Sequence, residues 1–302
     1  NGAMNRFRLY QDVNPVYDAW ELARDYPENE ISPADAGSLR VAYCGSYACV
    51  MESTRTLEHS TVVQRITVRA HTRRIDFDTE IDWQARHRLL KVDFATGLHC
   101  EDALHEIQFG YIRRPAHRSH AFAADRYEVS NQRYSALAEP GRTLAVLNEG
   151  SYGISADNGT LSLSLLRAPL VPDDTCDRGR QRIRYAVYPC TGDLADVVRE
   201  GYAFNAVPRC FAGTGTQSST FSADDARVVP ETVKPADDGR GVILRLYEAT
   251  GTAVRTTVHA PLSGRWTRTD MAENDEGEPL AQGSCVQVSL RPFEILTLRL
   301  IP

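Results

Sequence analysis

The chain has 302 residues, 42% of them hydrophobic and 25% charged, with a formal net charge of −6. That is the make-up of a soluble globular protein with room for one large or two ordinary domains. The acidic balance gives no support for a nucleic-acid partner, and no apolar run reaches the roughly 20 residues of a membrane helix.

In chain order, the opening NGAM reads as a cloning scar ahead of Met4, so residues 1–3 are set aside. No charged-then-apolar leader, and so no signal peptide, is recognised. PVYDAWELARDY, residues 15–26, is a candidate helix. From STVVQRITVRAHTRRIDFDTEIDW onward the chain alternates polar and apolar residues and is rich in Val, Ile and Thr. RLLKVDF, ALHEIQFGYI, TLAVLNEG, LSLSLLRA, RIRYAVYP, VILRLYEA, AVRTTVHAP, CVQVSL and EILTLRLIP continue in that style, divided by turns such as DNGT and DDGRG. The pattern predicts an all-β protein of antiparallel sheets packed as sandwiches. DLADVVREGYAFN, residues 193–205, is a second candidate helix, with Asp193 at its N-cap. GTGTQSSTFSADD, residues 213–225, is poor in apolar residues and reads as a linker. It divides a large β domain, 4–212, from a small terminal sandwich, 226–302.

The segment RRIDFDTEIDW places Asp76, Asp78, Glu80 and Asp82 on alternate positions. Paired carboxylates serve acid/base chemistry in many hydrolases. In a strand, however, alternate residues share one face, so these four point one way and Ile75, Phe77, Thr79, Ile81 and Trp83 point the other. A hairpin with RHRLLKVDF would set Ile81 against Leu90, Thr79 against Val92 and Phe77 against Phe94, with Glu80 opposite Lys91. The alternation is thereby explained as the solvated face of a strand, and no catalytic residue is assigned.

Other chemistry is thin. The seven cysteines (Cys44, Cys49, Cys100, Cys176, Cys190, Cys210 and Cys285) are odd in number and irregularly spaced, which favours reduced thiols in a cytoplasm. His117 and His120 in RPAHRSH lack a third ligand at metal-binding spacing, so no metal site is assigned. SYGIS lacks the serine elbow of hydrolases, and no phosphate-binding glycine loop occurs. The Asn158 sequon in NGT is uninformative without a secretion signal. LSLLRAPLVPDDTCDRGRQRIRY is richer: a strand runs into a loop holding Arg167, Asp173, Asp174, Asp177 and Arg178. Arg and carboxylate groups suit multi-point hydrogen bonding to sugar hydroxyls, and equally a cluster that pins its own loop.

FRLYQDVNPVYDAWEL, RIDFDTEIDWQARHRLLKVDF, FGYIRRPAH, DRYEVSNQRYSAL, LAVLNEGSYGIS, LSLLRAPLVPDDTCDRG, VKPADDGRGVILRLYEATG and RPFEILTLRL follow one another in order. Together they resemble the C-terminal half of the retaining α-mannosidases of glycoside hydrolase family 38, over about residues 6 to 302. The resemblance implies a large β-supersandwich of the galactose-mutarotase type followed by a small terminal sandwich. It also implies a zinc-dependent parent enzyme whose nucleophile, acid/base residue and zinc ligands lie outside this chain. No cofactor is therefore expected in the chain itself. The partners implied are the parent's own catalytic and helical domains and mannose-containing glycans, in a bacterial cytoplasm; a homo-oligomer is left open. By resemblance, Arg167 reaches the sugar, and Asp174 and Asp177 orient the loop around it. Asn131 stands where relatives often carry His, which puts any role of that position in doubt. Two other readings compete. One is a self-contained carbohydrate-binding or mutarotase-like protein, using His105 with Glu106 or Glu128. The other is a purely structural β scaffold that docks a catalytic subunit.

Overall fold

Alternation on a two-residue period becomes strands throughout the computed structural model, which describes residues 3–302 apart from 15, 32–36, 207, 210, 214 and 216–219. The strands are β1 (Met4–Gln11), β2 (Glu30–Ile31), β3 (Gly37–Cys44), β4 (Ala48–Leu57), β5 (Ser60–Arg69), β6 (Ile75–Trp83), β7 (Arg88–Ala95), β8 (Asp102–Ile107), β9 (Gly110–Pro115), β10 (Val129–Ser130), β11 (Tyr134–Glu139), β12 (Arg142–Asn148), β13 (Gly153–Asp157), β14 (Thr160–Arg167) and β15 (Gly179–Cys190). Then come β16 (Ser222–Ala223), β17 (Val228–Pro235), β18 (Val242–Glu248), β19 (Val254–Thr269), β20 (Asp275–Leu290) and β21 (Ile295–Ile301). Two α-helices interrupt them, α1 (Ala121–Ala124) and α2 (Leu194–Asn205). The second is the helix predicted over 193–205. The chain divides into two compact units: residues 1–106, 112–193 and 199–207 in one, and 107–111, 194–198 and 208–302 in the other.

The larger unit is built on two antiparallel sheets, a six-stranded one ordered β10-β13-β14-β7-β1-β2 and a nine-stranded one ordered β3-β4-β5-β6-β15-β12-β11-β8-β9. Phe7, Leu9, Leu90, Val92, Phe94, Leu161 and Leu163 of the first sheet share one core with Val62, Phe77, Ile81, Trp83, Leu137, Val146 and Tyr185 of the second. At its centre the rings of Phe77, Phe94 and Tyr185 lie 5.2–6.0 Å apart. Each such side chain withdrawn from water stabilises the unit by about 1.5–3 kcal/mol. In the other unit, β16-β19-β21-β18-β17 form one sheet and β20 pairs with β19. Its core holds Trp266, Leu244, Leu246, Val258, Val286, Leu296 and Leu298.

Two expectations are corrected. The hairpin of β6 with β7 does not form: β6 lies between β5 and β15, and β7 between β1 and β14. Phe77 meets Phe94 across the core, with ring centroids 5.8 Å apart, rather than along a ladder. The reason is that two strands with matching apolar faces satisfy them equally well by facing one another as by flanking one another; the alternation does not distinguish the two. The carboxylates do point away from the core, and cations from neighbouring strands meet three of them. Asp76 takes Arg69 and Arg74, Asp78 takes Arg182 and Glu80 takes Arg65, while Asp82 accepts from Gln84.

The second correction concerns residues 16–26, which make a turn at Tyr17–Trp20 and then a loop, with a 3-10 turn only at Tyr26–Asn29. Tyr17 has φ +60°, which a helix does not accommodate. The carbonyls of Asp18, Ala19 and Glu21 are taken by an arginine from elsewhere in the chain.

Candidate functional site

That arginine is Arg167. β1 and β14 run antiparallel to β7, on either side of it, so the ends of β1 and β14 and the start of β7 meet at one end of the six-stranded sheet. There Arg167 Nε donates to Asp12 Oδ2 at 2.5 Å and Nη2 to Asp12 Oδ1 at 3.1 Å, a fork that suits a planar guanidinium. The same group donates to the carbonyls of Asp18 (2.9 Å), Ala19 (3.3 Å) and Glu21 (2.6 Å). Asp12 is only 2% exposed, so the fork is a buried ion pair. The Arg167 backbone N–H donates to Asp177 Oδ2 at 3.0 Å. Asp177 therefore ties the loop 168–178 to the strand end. Asp174 lies exposed on that loop, one residue beyond Asp173, whose carboxylate closes a turn on Thr175.

Beside this clamp sits a pair that sequence reasoning missed. Asp18 is buried, and its Oδ2 accepts from the N–H groups of Leu170 (2.6 Å) and Val171 (3.2 Å) and lies 3.2 Å from His87 Nε2. Burial works to raise the Asp18 pKa, but these hydrogen bonds outweigh it and hold the carboxyl below its ordinary range. Its other oxygen, Oδ1, is buried with no partner among the described residues. No spacing rule joins Asp12, Asp18, His87 and Arg167, because the contacts span up to 155 positions.

The clamp holds the backbone at Asp18, Ala19 and Glu21 and leaves neighbouring apolar side chains outward. Trp20 is 69% exposed, and Val13, Val16, Tyr17 and, on the facing loop, Val171 are exposed with it. The result is an aromatic and aliphatic rim around a buried charge cluster. Such a rim can stack on the apolar face of a sugar or bury itself against protein, while the charges beneath hold it in place.

The other residues singled out in the sequence fall elsewhere. His105 is buried with Nδ1 2.8 Å from Ser135 Oγ; Glu106 is paired with Arg133; Glu128 takes Lys91 and Ser164. Each has its own partner, so the facing His–Glu pair of a mutarotase is not assembled from them. Asn131 is buried, donating to Tyr152 O at 2.8 Å and accepting from Asn148 Nδ2 at 2.7 Å. His117 and His120 have ring centroids 5.5 Å apart, but Nδ1 of one meets Ser119 and Nδ1 of the other caps α1 at Ala123. Among the described residues no three His, Cys, Asp or Glu side chains converge in a way that could hold a metal. No helix among them is long and apolar enough to cross a membrane.

Comparison with known proteins adds an independent line. A family model described as the glycosyl hydrolases family 38 C-terminal domain matches residues 1–175, and one described as that family's C-terminal beta sandwich domain matches residues 227–298. Alpha-mannosidase G of Dictyostelium discoideum is 33% identical over 98% of this chain, and alpha-mannosidase 2C1 of Homo sapiens is 34% identical over 98%. The chain spans only 29–30% of the length of these relatives. A crystal structure of an alpha-mannosidase from Enterococcus faecalis V583 superposes on 98% of the chain with a TM-score of 0.78 at 14% identity, covering 38% of that protein; this is a likeness of fold.

Proposed function

Because this chain belongs to glycosyl hydrolase family 38, matching its C-terminal domains, we propose that it is the C-terminal part of an α-mannosidase that removes terminal α-mannosyl residues. The observation that carries the reading is the pairing of two coverages: the relatives align over 98% of this chain but this chain over about 30% of theirs. The remaining 70% is where the nucleophile, the acid/base carboxylate and any zinc belong. Hydrolysis would proceed with retention, one carboxylate attacking the anomeric carbon and a second acting as acid and then base. A cytoplasmic, bacterial setting is part of the same proposal.

In this reading Arg167, Asp174 and Asp177 belong to one wall of the sugar cleft. Arg167 acts chiefly through the backbone it grips, because five of its contacts are already internal. The groups it presents are Tyr17 and Trp20.

The test is direct. The 302-residue chain should show no turnover of an aryl α-mannoside and no bound zinc, while the full-length enzyme shows both. Zinc-dependent hydrolysis by the chain alone, or a full-length enzyme inert toward every α-mannoside tried, would overturn the proposal.

A further inference from the structure

The inner face of the nine-stranded sheet keeps an apolar patch toward its β3 edge, beside the polar Ser53 and Arg55. Residues paired across antiparallel ladders share a face, so each row can be followed from strand to strand. One row runs Tyr185, Phe77, Ile66, Met51, Val41. Its inner members are 0% and 5% exposed, its middle members are half-buried, and Val41 at the edge is 64% exposed. A second row runs Val187, Ile75, Val68, Cys49, Cys44, from 4% through 39% at Val68 to an exposed edge. Leu39 on β3 is exposed as well. A solvated sheet face carries polar residues at such positions; here the core pattern continues with no cover among the described residues. Leu39, Met51, Ile66, Val68, Ile75, Phe77 and Val187 of these line a groove of about 480 Å³, bordered by the polar Ser38, Ser53 and Arg55.

What would cover it is indicated by where the groove lies. Met4 and Asn5, the head of β1, form one of its walls. β2 pairs with β1 only at Leu9 and Tyr10, so it does not extend the covering sheet past that head. Chain that precedes Met4 joins β1 at this wall, and the relatives carry more than twice this length of chain beyond the part that aligns here. We infer that this groove is the seat of an apolar, extended segment of the polypeptide that precedes β1 in the full-length protein. The inference rests on reading the chain as the C-terminal part of a longer protein. A strand laid there would complete the covering layer and bury Leu39, Val41, Met51 and Val68 together.

The experiment compares hydroxyl-radical footprints of the 302-residue chain and the full-length enzyme, with exposed Met271 as internal standard. Oxidation of Met51 should fall about tenfold or more in the full-length enzyme, with Met271 unchanged, since closing a face suppresses local exposure. Val41→Asp should leave the melting temperature of the 302-residue chain unchanged, because that side chain is already in water, and lower that of the full-length enzyme. Equal oxidation of Met51 in both proteins would overturn the inference. So would protection in the isolated chain that appears only as it dimerises in sedimentation, which would make the occupant a second copy. The outcome is separable from the enzymatic reading: protected Met51 in a full-length protein inert toward mannosides removes the activity and keeps the groove, and the converse result does the reverse.

Discussion

Replacing Arg167 by Ala withdraws the guanidinium fork on Asp12. Asp12, with its side chain 1% exposed, is left charged and uncompensated, and three carbonyls lose a donor. Removing one partner of a buried ion pair costs about 3–5 kcal/mol. For a domain of this size about 2–4 °C of melting temperature accompanies each kcal/mol, so the larger unit should melt roughly 10 °C lower. The loss should be local first: amides of residues 12–22 should exchange faster, and acrylamide should quench Trp20 fluorescence more strongly. Arg167→Lys should rescue little, because an ammonium cannot reproduce the fork. Arg167→Met combined with Asp12→Asn should recover part of the stability by removing the orphaned charge. In the full-length enzyme KM should rise more than the rest of the β domain loosens. A change below about 1 kcal/mol, with exchange at 12–22 unaltered, would refute the clamp.

Asp78→Asn with Asp82→Asn should cost no more than about 1 kcal/mol and leave mannoside turnover of the full-length enzyme unchanged, since Asp78 meets a largely exposed Arg182; a collapse of the rate with intact folding would show the row to be functional. His105 is buried, which lowers its pKa to about 3, with Arg114 adding to the effect. The unfolded chain takes up that proton near pH 6.5 and the folded chain does not. Stability is therefore complete above about pH 6.5 and declines toward pH 3, by on the order of 5 kcal/mol in all. His105→Gln should flatten this acid limb in urea titrations at successive pH values, and an unchanged slope would rule the residue out. Glu248, 0% exposed, accepts from the N–H groups of Thr250, Gly251, Thr252 and Phe293. Glu248→Ala should cost the terminal unit about 3 kcal/mol, read from its own melting transition through Trp266 fluorescence; a loss under about 1 kcal/mol would mean that water replaces the carboxylate.

What was legible in the sequence was local. The side-chain period of a strand is written in consecutive residues, so β5–β7 and β18–β21 could be read directly, and DLADVVREGYAFN carried its helical stripe. The pairing of those strands was not legible, because β6 finds β15 rather than the β7 that follows it, and both choices bury Ile75, Phe77 and Ile81 equally. PVYDAWELARDY failed as a helix for a non-local reason: a guanidinium about 150 positions away claims the carbonyls that a helix would use. Arg167 was visible as a charge at a strand end. Asp12, Asp18 and His87 were not, since each is an ordinary loop residue until the fold assembles them. The uncovered rows ending at Val41 and Cys44 were hidden as well; an apolar strand face looks the same in sequence whether or not anything lies on it.

The separation of β6 from its partner has a consequence for how the protein is made. Trp83 pairs with Gly179 and Ile75 with Val187, so the matching residues are 96 to 112 positions apart. At roughly 5–20 residues per second, a ribosome needs about 5–20 s to deliver β15 after β6 has emerged. During that interval the meander β3–β6 has β6 as its open edge, with unpaired amides and carbonyls available to any passing strand. Asp78, Glu80 and Asp82 then stand guard on it, since like charges brought edge to edge repel a second nascent copy. The carboxylate row that lines one face of β6 in the folded chain would guard its edge in the half-made one.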